Sequence, residues 1–481
     1  MRHLSILALI TVSLTSAACA GDATTSPAQI DTPTVTPNTE AVTVVSPSST
    51  QAAMVGVAFA YDATKGGTAF SDPRKSGLTY TVSFTPAVGG LSAANGRIVG
   101  TAADPGVYTV TITARDNSGS SASHSFAIVV FAGDLTAPTL PATALHYADA
   151  NNPLPRHFSQ AAPNAGSPIG ADNTPASNIT TNAGASLGRV LFYDRRLSAN
   201  DRVSCSSCHQ QQFAFSDTAK LSRGFTGGFT GRHSMGLANA RFYASARFFW
   251  DERAANLEAQ VLQPIQDATE MGMTLPNVIA KLSATTYYPA LFTAAFGTSE
   301  ITSDRVSLAL SQFVRSLVSV NSKFDRAFGV NGVPNFAATF TAQELAGQDL
   351  FNGRAGCARC HGTNAHISDG VHNTGLDATI TDAGAGNGRF KAPSLRNIAV
   401  RPPYMHDGRF QTLEQVIAFY DNGVQNNPGL DNRLRGGGGG NGPPLRLNLS
   451  AAERASLVAF LGTLTDNSFL TDVRFSNPFG R

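Results

Sequence analysis

The chain has 481 residues, of which 42% are hydrophobic and 14% are charged, and its formal net charge is +2. This length predicts two or three domains with ordinary apolar cores, and the absence of Lys/Arg runs argues against a nucleic-acid-binding surface. Beyond the first 20 residues, no apolar stretch is long enough to span a bilayer as a helix.

Residues 1–20 have the features of a secretory signal. A short basic start precedes the apolar stretch from Leu4 to Leu14, and small residues then surround Cys19. Cleavage after Ala20 would release a soluble protein, whereas cleavage before Cys19 would leave that cysteine for lipid attachment. We favour lipidation, because it explains the one cysteine outside the motifs described below. By either route the chain is expected to leave the cytoplasm.

Residues 21–40 are rich in Thr, Pro and Ser, which predicts a disordered linker. From 41 to 132, short runs of alternating β-branched and aromatic residues are separated by Gly, Asp and Asn turns. This pattern predicts an all-β sandwich, and the run from Gly106 to Asp116 resembles cadherin- or dystroglycan-type Ig-like domains. We expect a spacer or adhesion module. The Pro- and Ala-rich residues 133–186 are expected to link or wrap.

The other four cysteines form two Cys-x-x-Cys-His motifs, Cys205-Ser-Ser-Cys208-His209 and Cys357-Ala-Arg-Cys360-His361. In an exported protein this motif marks covalent attachment of c-type haem, and the histidine ligates the iron. A zinc site would group the four cysteines and would not need the histidines. A thioredoxin-type pair needs one motif, and disulfides between such near neighbours have poor geometry. The motifs therefore predict two covalently bound haems and redox chemistry.

From residue 187 onward the spacing of apolar residues is helical. Three helix starts carry a capping box, in which a Ser or Thr is followed three residues later by Glu or Gln: Thr341, Thr412 and Ser450. Each haem motif lies near the start of one helical unit. We therefore predict two mainly α-helical units, at 187–338 and 339–470, and a tail at 471–481; the resemblance described next implies that both units are cytochrome c-like domains.

Ordered blocks between about 186 and 465 resemble the bacterial di-haem cytochrome c peroxidase family, including its MauG-like branch. They include the segment 187–198, the run Phe249-Trp-Asp-Glu-Arg253, and the segments 390–397 and 403–408. The resemblance implies that hydrogen peroxide reacts at a first haem, that of the motif at 205–209. A second haem would relay electrons from a small cytochrome c or cupredoxin.

The resemblance also implies roles for three residues between the motifs. Trp250, the only tryptophan of the chain, corresponds to the inter-haem tryptophan of the family and would relay electrons. Glu270 corresponds to the distal-pocket glutamate and would move a proton during peroxide cleavage, and Gln260 to an amide that would hydrogen-bond peroxide. Without the resemblance, a core tryptophan and a solvated glutamate would be the simpler interpretations.

Two positions depart from the common family pattern. Phe225 stands where many members carry a histidine that blocks the first iron, so we predict an open first haem; His233 is an alternative ligand nearby. Tyr420 stands where the methionine ligand of the second iron is expected, and its helical face predicts that it points inward. Met405 is its rival. The MauG-like branch uses a tyrosine ligand and high-valent di-haem iron to oxidise a partner protein.

Family members often hold calcium between the haem domains on an asparagine and backbone oxygens. The matching positions here are His233 and Arg401; calcium prefers oxygen ligands, so these residues disfavour calcium without excluding it. We predict a periplasmic or cell-envelope di-haem peroxidase, an oxidoreductase. The alternatives are a MauG-like oxidase of a partner protein and a non-catalytic electron-transfer or surface protein.

Overall fold

The computed structural model describes residues 41–131, 137–160, 166–367, 370–436 and 442–479. The predicted signal, Cys19 and the linker up to residue 40 lie outside the described residues. None of the helices in the described ranges is long and apolar enough to cross a membrane.

The first unit is a β-sandwich, as the sequence predicts. Its strands are β1 (Thr43–Val44), β2 (Gln51–Met54), β3 (Ala58–Asp62), β4 (Phe70–Ser71), β5 (Thr79–Thr85), β6 (Leu91–Ala94), β7 (Arg97–Thr101), β8 (Gly106–Arg115) and β9 (Ser121–Phe131). One sheet has the order β2-β9-β8-β5 and the other the order β3-β7-β6, while β1 pairs with β4. Only the β2–β9 pairing among these is parallel.

The longest strands explain how the sandwich is filled and where it meets the rest of the chain. Alternate residues of a strand face opposite sides, so Val110 and Ile112 of β8 and Ile128 of β9 point into the sandwich and are fully buried. Val129 faces the other way and is nevertheless fully buried. The helix α6 (Leu275–Ser283) lies against β9, so the helical part covers the end of this face near Val129, while Ser121, Ser123 and Ser125 of the same strand remain exposed.

The rest of the chain is mainly helical. Its α-helices are α1 (Arg156–Ser159), α2 (Asn182–Tyr193), α3 (Cys205–Cys208), α4 (Leu257–Val261), α5 (Gln263–Gln266), α6 (Leu275–Ser283), α7 (Tyr288–Phe296), α8 (Ser303–Ser316), α9 (Lys323–Arg326), α10 (Phe336–Thr339), α11 (Ala342–Asn352), α12 (Leu413–Ala418), α13 (Ala451–Gly462) and α14 (Asn467–Thr471). Two short strands, β10 (Val371–His372) and β11 (Phe390–Lys391), pair in an antiparallel two-stranded sheet.

Two helix pairs form the two helical units, and each pair crosses at a glycine. A Cβ atom on Gly188 of α2 would lie 2.0 Å from the carbonyl oxygen of Ala309 on α8. One on Gly347 of α11 would lie 1.9 Å from the carbonyl oxygen of Ser456 on α13. Real side chains cannot approach a backbone so closely, so glycine sets the helix spacing at both crossings. The second haem motif follows directly after α11.

The three predicted capping boxes are confirmed. In each, the hydroxyl of the first residue accepts the backbone N–H three positions later, and the Glu or Gln side chain bonds back to the first residue. These pairs begin α11, α12 and α13. The end of α12 was not predicted: the helix widens into a π-turn over Phe419–Gly423, a feature often found at functional sites.

Two segments outside the main helix pairs, α1 and the residues after α14, make hydrogen bonds to the helical units. His157 on α1 lies 2.8 Å from Asp325 through its Nε2, and Asp325 also pairs with Arg396 of the second unit. These groups are buried, and the pairing with Arg396 and His157 lowers the pKa of Asp325 against the effect of burial. Near the C-terminus, the backbone carbonyl of Phe475 accepts a hydrogen bond from Tyr193 on α2 at 2.7 Å. The predicted tail therefore packs into the core of the first helical unit.

The glycine crossing of α11 and α13 leads to a stability prediction. Gly347→Ala should lower the free energy of unfolding by about 1–3 kcal/mol, because the added methyl overlaps the Ser456 carbonyl. Denaturant unfolding of the haem-loaded protein measures this change. The matched control is Gly462→Ala at the end of α13, where nothing lies within 4 Å of the new Cβ. That change should be neutral or stabilising by up to about 1 kcal/mol, and an equal loss in both variants would contradict the packing argument.

Candidate active site

The first haem motif is placed on a short helix with a fixed imidazole. α3 spans Cys205–Cys208 and begins with a capping box from Ser204. The Nδ1 atom of His209 lies 2.9 Å from the backbone carbonyl oxygen of Phe215. A carbonyl can only accept, so Nδ1 carries the proton and Nε2 keeps its lone pair for a metal. Burial raises the pKa of the Cys205 thiol to about 12.

Two backbone segments close the other side of this motif. The loop at 222–230 packs against the segment 269–272, and the backbone N–H of Phe225 donates to the carbonyl of Glu270 at 3.0 Å. A Cβ on Gly272 would lie 2.3 Å from the Phe225 ring, so the ring rests directly on that glycine. Asn200, which no sequence motif marks, donates its side-chain amide N–H to the Phe225 carbonyl at 2.9 Å. Phe225 is therefore held beside Glu270.

Glu270 is half-buried, and its carboxyl lies within electrostatic reach of the first motif. Burial raises the pKa of Glu270, the neighbouring Asp267 raises it further, and Arg253 opposes the shift. The charge of Glu270 in turn raises the pKa of the thiols of Cys205 and Cys208, after the larger effect of burial. The structure thus brings together the haem motif and the carboxyl that the resemblance singled out.

Gln260 lies on the helical turn that leads towards Glu270. It is half-buried near the end of α4, and its side-chain amide has no hydrogen-bond partner among the described residues. Pro264 stands in the first turn of α5, where its missing N–H is tolerated. The proline therefore separates two short helices, as expected from its effect on helix geometry.

A cavity of about 230 Å³ lies over the second haem motif. The Nδ1 atom of His361 lies 3.3 Å from the carbonyl oxygen of His366, so this imidazole is also oriented by the backbone. Burial lowers the pKa of His361 to about 4. Five apolar side chains of α12 and α13 contribute to its wall: Leu413, Val416, Ile417, Leu457 and Leu461.

This cavity fits a c-type haem. Its wall is apolar around Cys357, Cys360 and His361, as a porphyrin ring requires, and it also contains the buried cations Lys391 and Arg401. With haem bound, the two thiols would carry the thioether bonds and the imidazole would ligate the iron. The first motif offers the same donors, the thiols of Cys205 and Cys208 and the imidazole of His209, beside the apolar core of the first helical unit.

Both candidate sixth ligands of the second iron line this cavity. Tyr420 lies in the π-turn after α12, and Met405 lies in the loop before it. Both pack against one small cluster formed by Phe419, Val424 and Leu430. Burial raises the pKa of Tyr420, the two motif thiols raise it further, and a hydrogen bond with Thr374 opposes the shift.

Trp250 lies between the two motifs. Its indole N–H donates to the backbone carbonyl of His233 at 2.7 Å, and its own carbonyl accepts from the backbone N–H of Lys391 at 2.8 Å. Trp250 and the segment 233–235 line the second cavity. The backbone of Met235 also raises the pKa of His209, after the larger effects of burial, which lowers it, and of Phe215 and Asp217. One short segment therefore touches both sites.

His233 and Phe225 have different surroundings. The His233 ring is buried, with Nδ1 3.1 Å from the carbonyl oxygen of Ala219 and Nε2 3.4 Å from the Ser216 hydroxyl. Phe225 instead packs against the segment at 270–272. Arg401 is also buried and donates to the carbonyl of Ser394, and its positive charge lowers the pKa of His233, after the larger effect of burial.

Comparison with known proteins agrees with this geometry. The family model described as di-haem cytochrome c peroxidase matches residues 182–332, and an Ig-domain model matches residues 41–131. The chain is 36% identical over 302 residues to the methylamine utilization protein MauG of Methylorubrum extorquens, covering 60% of this chain and 80% of that protein. It is 34% identical over 249 residues to cytochrome c551 peroxidase of Nitrosomonas europaea, covering 48% and 71%.

Solved structures show the same fold. A MauG-like protein associated with microbial copper homeostasis superimposes with a TM-score of 0.55 at 35% identity, covering 63% of this chain and 95% of that one. The di-haem peroxidase BthA from Burkholderia thailandensis shares the fold at 21% identity, with a TM-score of 0.51 and coverage of 63% and 91%. The helical part carries two c-type haem sites, and the chain belongs to the di-haem cytochrome c peroxidase family of oxidoreductases.

Proposed function

We propose that this protein reduces hydrogen peroxide at the haem of His209, with electrons delivered through the haem of His361 and Trp250. The reaction takes two electrons and two protons for each peroxide and gives two molecules of water. The iron, when bound, supplies the cleavage of the oxygen–oxygen bond. The observation that carries the proposal is Glu270, a half-buried carboxyl with a raised pKa beside the first motif.

Glu270 has the properties of a proton carrier. Peroxide cleavage requires a proton to leave one oxygen atom and reach the other, so that water can depart. A carboxylate whose pKa is raised by desolvation binds a proton more readily than a solvated carboxylate does. It can therefore accept the proton and return it within one reaction cycle. We assign to Gln260 the role of hydrogen-bonding peroxide, since its amide has no other partner in the described part of the chain.

Phe225 supports an open coordination position at the first iron. Its ring has no lone pair, and the loop that carries it is fixed by hydrogen bonds to Glu270 and Asn200. His233, the alternative ligand, is engaged by the segment 216–219 instead. We therefore infer that peroxide can reach the first site without prior reduction of the protein.

The hydrogen bond of Trp250 supports its role as an electron relay. The acceptor of the indole N–H is a backbone carbonyl, which is too weak a base to take the proton. An electron can then leave and return to the indole without a proton transfer. We infer that the relay step itself does not depend on pH.

We assign Tyr420, rather than Met405, as the sixth ligand of the second iron. Its half-buried phenol lies within electrostatic reach of both thiols of the motif, and the π-turn gives it a position outside the regular helix. A phenolate is a hard anionic donor, which stabilises higher iron oxidation states, whereas a thioether raises the potential. Met405 lines the same cavity, so the two side chains need a direct test.

The proposed partners are hydrogen peroxide and a small cytochrome c or cupredoxin as electron donor. The MauG-like function, oxidation of a partner protein, is the second candidate, and Phe225 and Tyr420 favour it. We infer an exported protein of the periplasm or cell envelope, with lipid at Cys19 as the finer proposal. Calcium is not required in this proposal, because the buried guanidinium of Arg401 carries a positive charge at a position matching the calcium site of the family.

The proposed function is tested by titrating the fully ferric protein with stoichiometric peroxide, followed by optical and electron paramagnetic resonance spectroscopy. We expect the high-spin ferric signal of the first haem to disappear within the mixing time, and the second haem to respond as well. Turnover with a reduced small cytochrome would then support peroxidase activity, while modification of a partner protein would support the MauG-like function.

The variant Trp250→Phe separates the two sites in this titration. The first haem should still react at once, while the response of the second should slow at every pH tested. If the unmodified protein reacts only after one electron has been added, the interpretation of Phe225 is wrong. A first haem that is inert under both conditions would favour a non-catalytic electron-transfer protein.

The role of Glu270 predicts a defined pH profile. Glu270→Gln should slow the reaction with peroxide by about 10²–10⁴-fold, measured by stopped-flow absorbance. In the unmodified protein the carboxylate form accepts the proton, so the rate should fall as the pH drops through the raised pKa of Glu270. This acidic limb should vanish in the variant. Glu300→Gln, at an exposed carboxyl paired with Arg305, is the control and should keep both rate and limb.

The ligand assignment is tested by comparing Tyr420→Phe with Met405→Leu. Loss of an anionic ligand should raise the reduction potential of the second haem and change its ferric spectrum, so Tyr420→Phe should do both. Met405→Leu should leave both unchanged. The reverse result would identify Met405 as the ligand, and two unchanged spectra would exclude both side chains.

A further inference from the structure

Arg232 binds two carboxylates that belong to different helical units. Its Nε and Nη2 atoms donate to the two oxygens of Asp382 at 2.8 Å each, and its Nη1 atom donates to Asp251 at 2.7 Å. Asp382 lies between β10 and β11 in the second unit, whereas Asp251 directly follows Trp250 in the sequence. One side chain therefore connects the tryptophan segment of the first unit with the second unit.

The geometry of these contacts differs from that of an ordinary surface ion pair. A guanidinium that meets both oxygens of one carboxylate is fixed in direction as well as in position. The side chain of Arg232 is 23% exposed and that of Asp251 is 16% exposed, so solvent screens their attraction less than that of a fully exposed pair. The hydrogen bonds from Arg232 lower the pKa of Asp382 to about 2, and this carboxylate therefore stays charged well below neutral pH.

The backbone next to Arg232 holds the indole of Trp250. His233, the following residue, accepts the indole N–H on its carbonyl at 2.7 Å, and its own N–H donates to the carbonyl of His406 at 2.7 Å. Arg232 thus acts on the tryptophan from two directions. It precedes the residue that accepts the indole N–H, and it binds the carboxylate that comes directly after the indole in the chain.

The aromatic rings of the second unit that face the indole also contact this guanidinium. The ring of His406 lies 6.4 Å from that of Trp250, at an angle of 68° between the planes. His406 stacks on Phe390 of β11 with 3.6 Å between the ring centres. The guanidinium of Arg232 lies 5.4 Å from the centre of the same Phe390 ring. The side of the second unit that approaches the indole is therefore tied to Arg232 through both Asp382 and Phe390.

We propose that Arg232 is a positioning residue for Trp250, and that by binding Asp251 and Asp382 together it sets the orientation of the indole and its distance from the second unit. The inference rests on the proposed function, in which electrons pass through this indole. Electron transfer between separated groups slows steeply as their distance grows and depends on their relative orientation. Arg232 therefore affects the rate of transfer between the two sites, although it is neither oxidised nor reduced itself.

The test uses the haem-loaded protein and two readouts. Because Trp250 is the only tryptophan of the chain, ultraviolet resonance Raman spectroscopy of the resting protein reports the indole hydrogen bond and side-chain torsion of this residue alone. Arg232→Gln should shift or broaden both bands. After stoichiometric peroxide, stopped-flow absorbance should show an unchanged response of the first haem and a response of the second haem slowed by about tenfold or more. Arg232→Lys, which keeps the charge without the two-oxygen contact, should fall between.

The control is Arg305→Gln on α8, whose side chain is 22% exposed and pairs with Glu300; it should change neither readout. Unchanged tryptophan bands in Arg232→Gln, or equal slowing at both haems, would overturn the proposal. If that variant does not fold, Asp382→Asn decides by the same readouts, since Asp251 keeps a second partner in Arg253. A protein that does not react with peroxide would contradict the proposed function, while the Raman bands, which need no peroxide, would still decide whether Arg232 positions the indole.

Discussion

The two haem sites depend on one short backbone segment, His233–Met235. The carbonyl of His233 accepts the indole N–H of Trp250, and its backbone N–H donates to the carbonyl of His406 in the second unit. Two residues later, the backbone of Met235 lies close enough to the first motif to raise the pKa of His209, after the larger effect of burial. Because backbone hydrogen bonds fix both position and direction, a small shift of this segment would change the separation of the two sites and the orientation of the indole between them.

The two sites differ in the charge that surrounds them. The first has a half-buried carboxyl, Glu270, beside its haem motif, and the pKa of this carboxyl is raised mainly because little solvent reaches it. The cavity of the second is lined mainly by apolar residues and includes two buried cations, Lys391 and Arg401. A carboxyl with a raised pKa suits proton exchange with a small substrate, whereas fixed positive charge suits a site that accepts electrons. The difference in charge is consistent with the separate roles that we propose for the two sites.

The β-sandwich contacts the first helical unit through its strand β9. Its strand β9 covers α6, the helix that follows the segment carrying Glu270. The buried pair of Lys281 on α6 and Asp201 fixes the same helix from the other side. The helix that follows the segment of Glu270 therefore contacts both the sandwich and the buried Asp201.

The sequence by itself determined the features that need only local geometry. The Cys-x-x-Cys-His motifs specify haem attachment within five residues, the capping boxes specify helix starts within four, and the strand pattern specifies the sandwich; each depends on neighbouring side chains and backbone alone. Tertiary structure decided what meets across the fold. It placed Lys391 against Trp250, widened α12 into a π-turn at Tyr420, and returned Phe475 to the first unit. Such contacts depend on packing between distant segments, and no spacing along the chain encodes that packing.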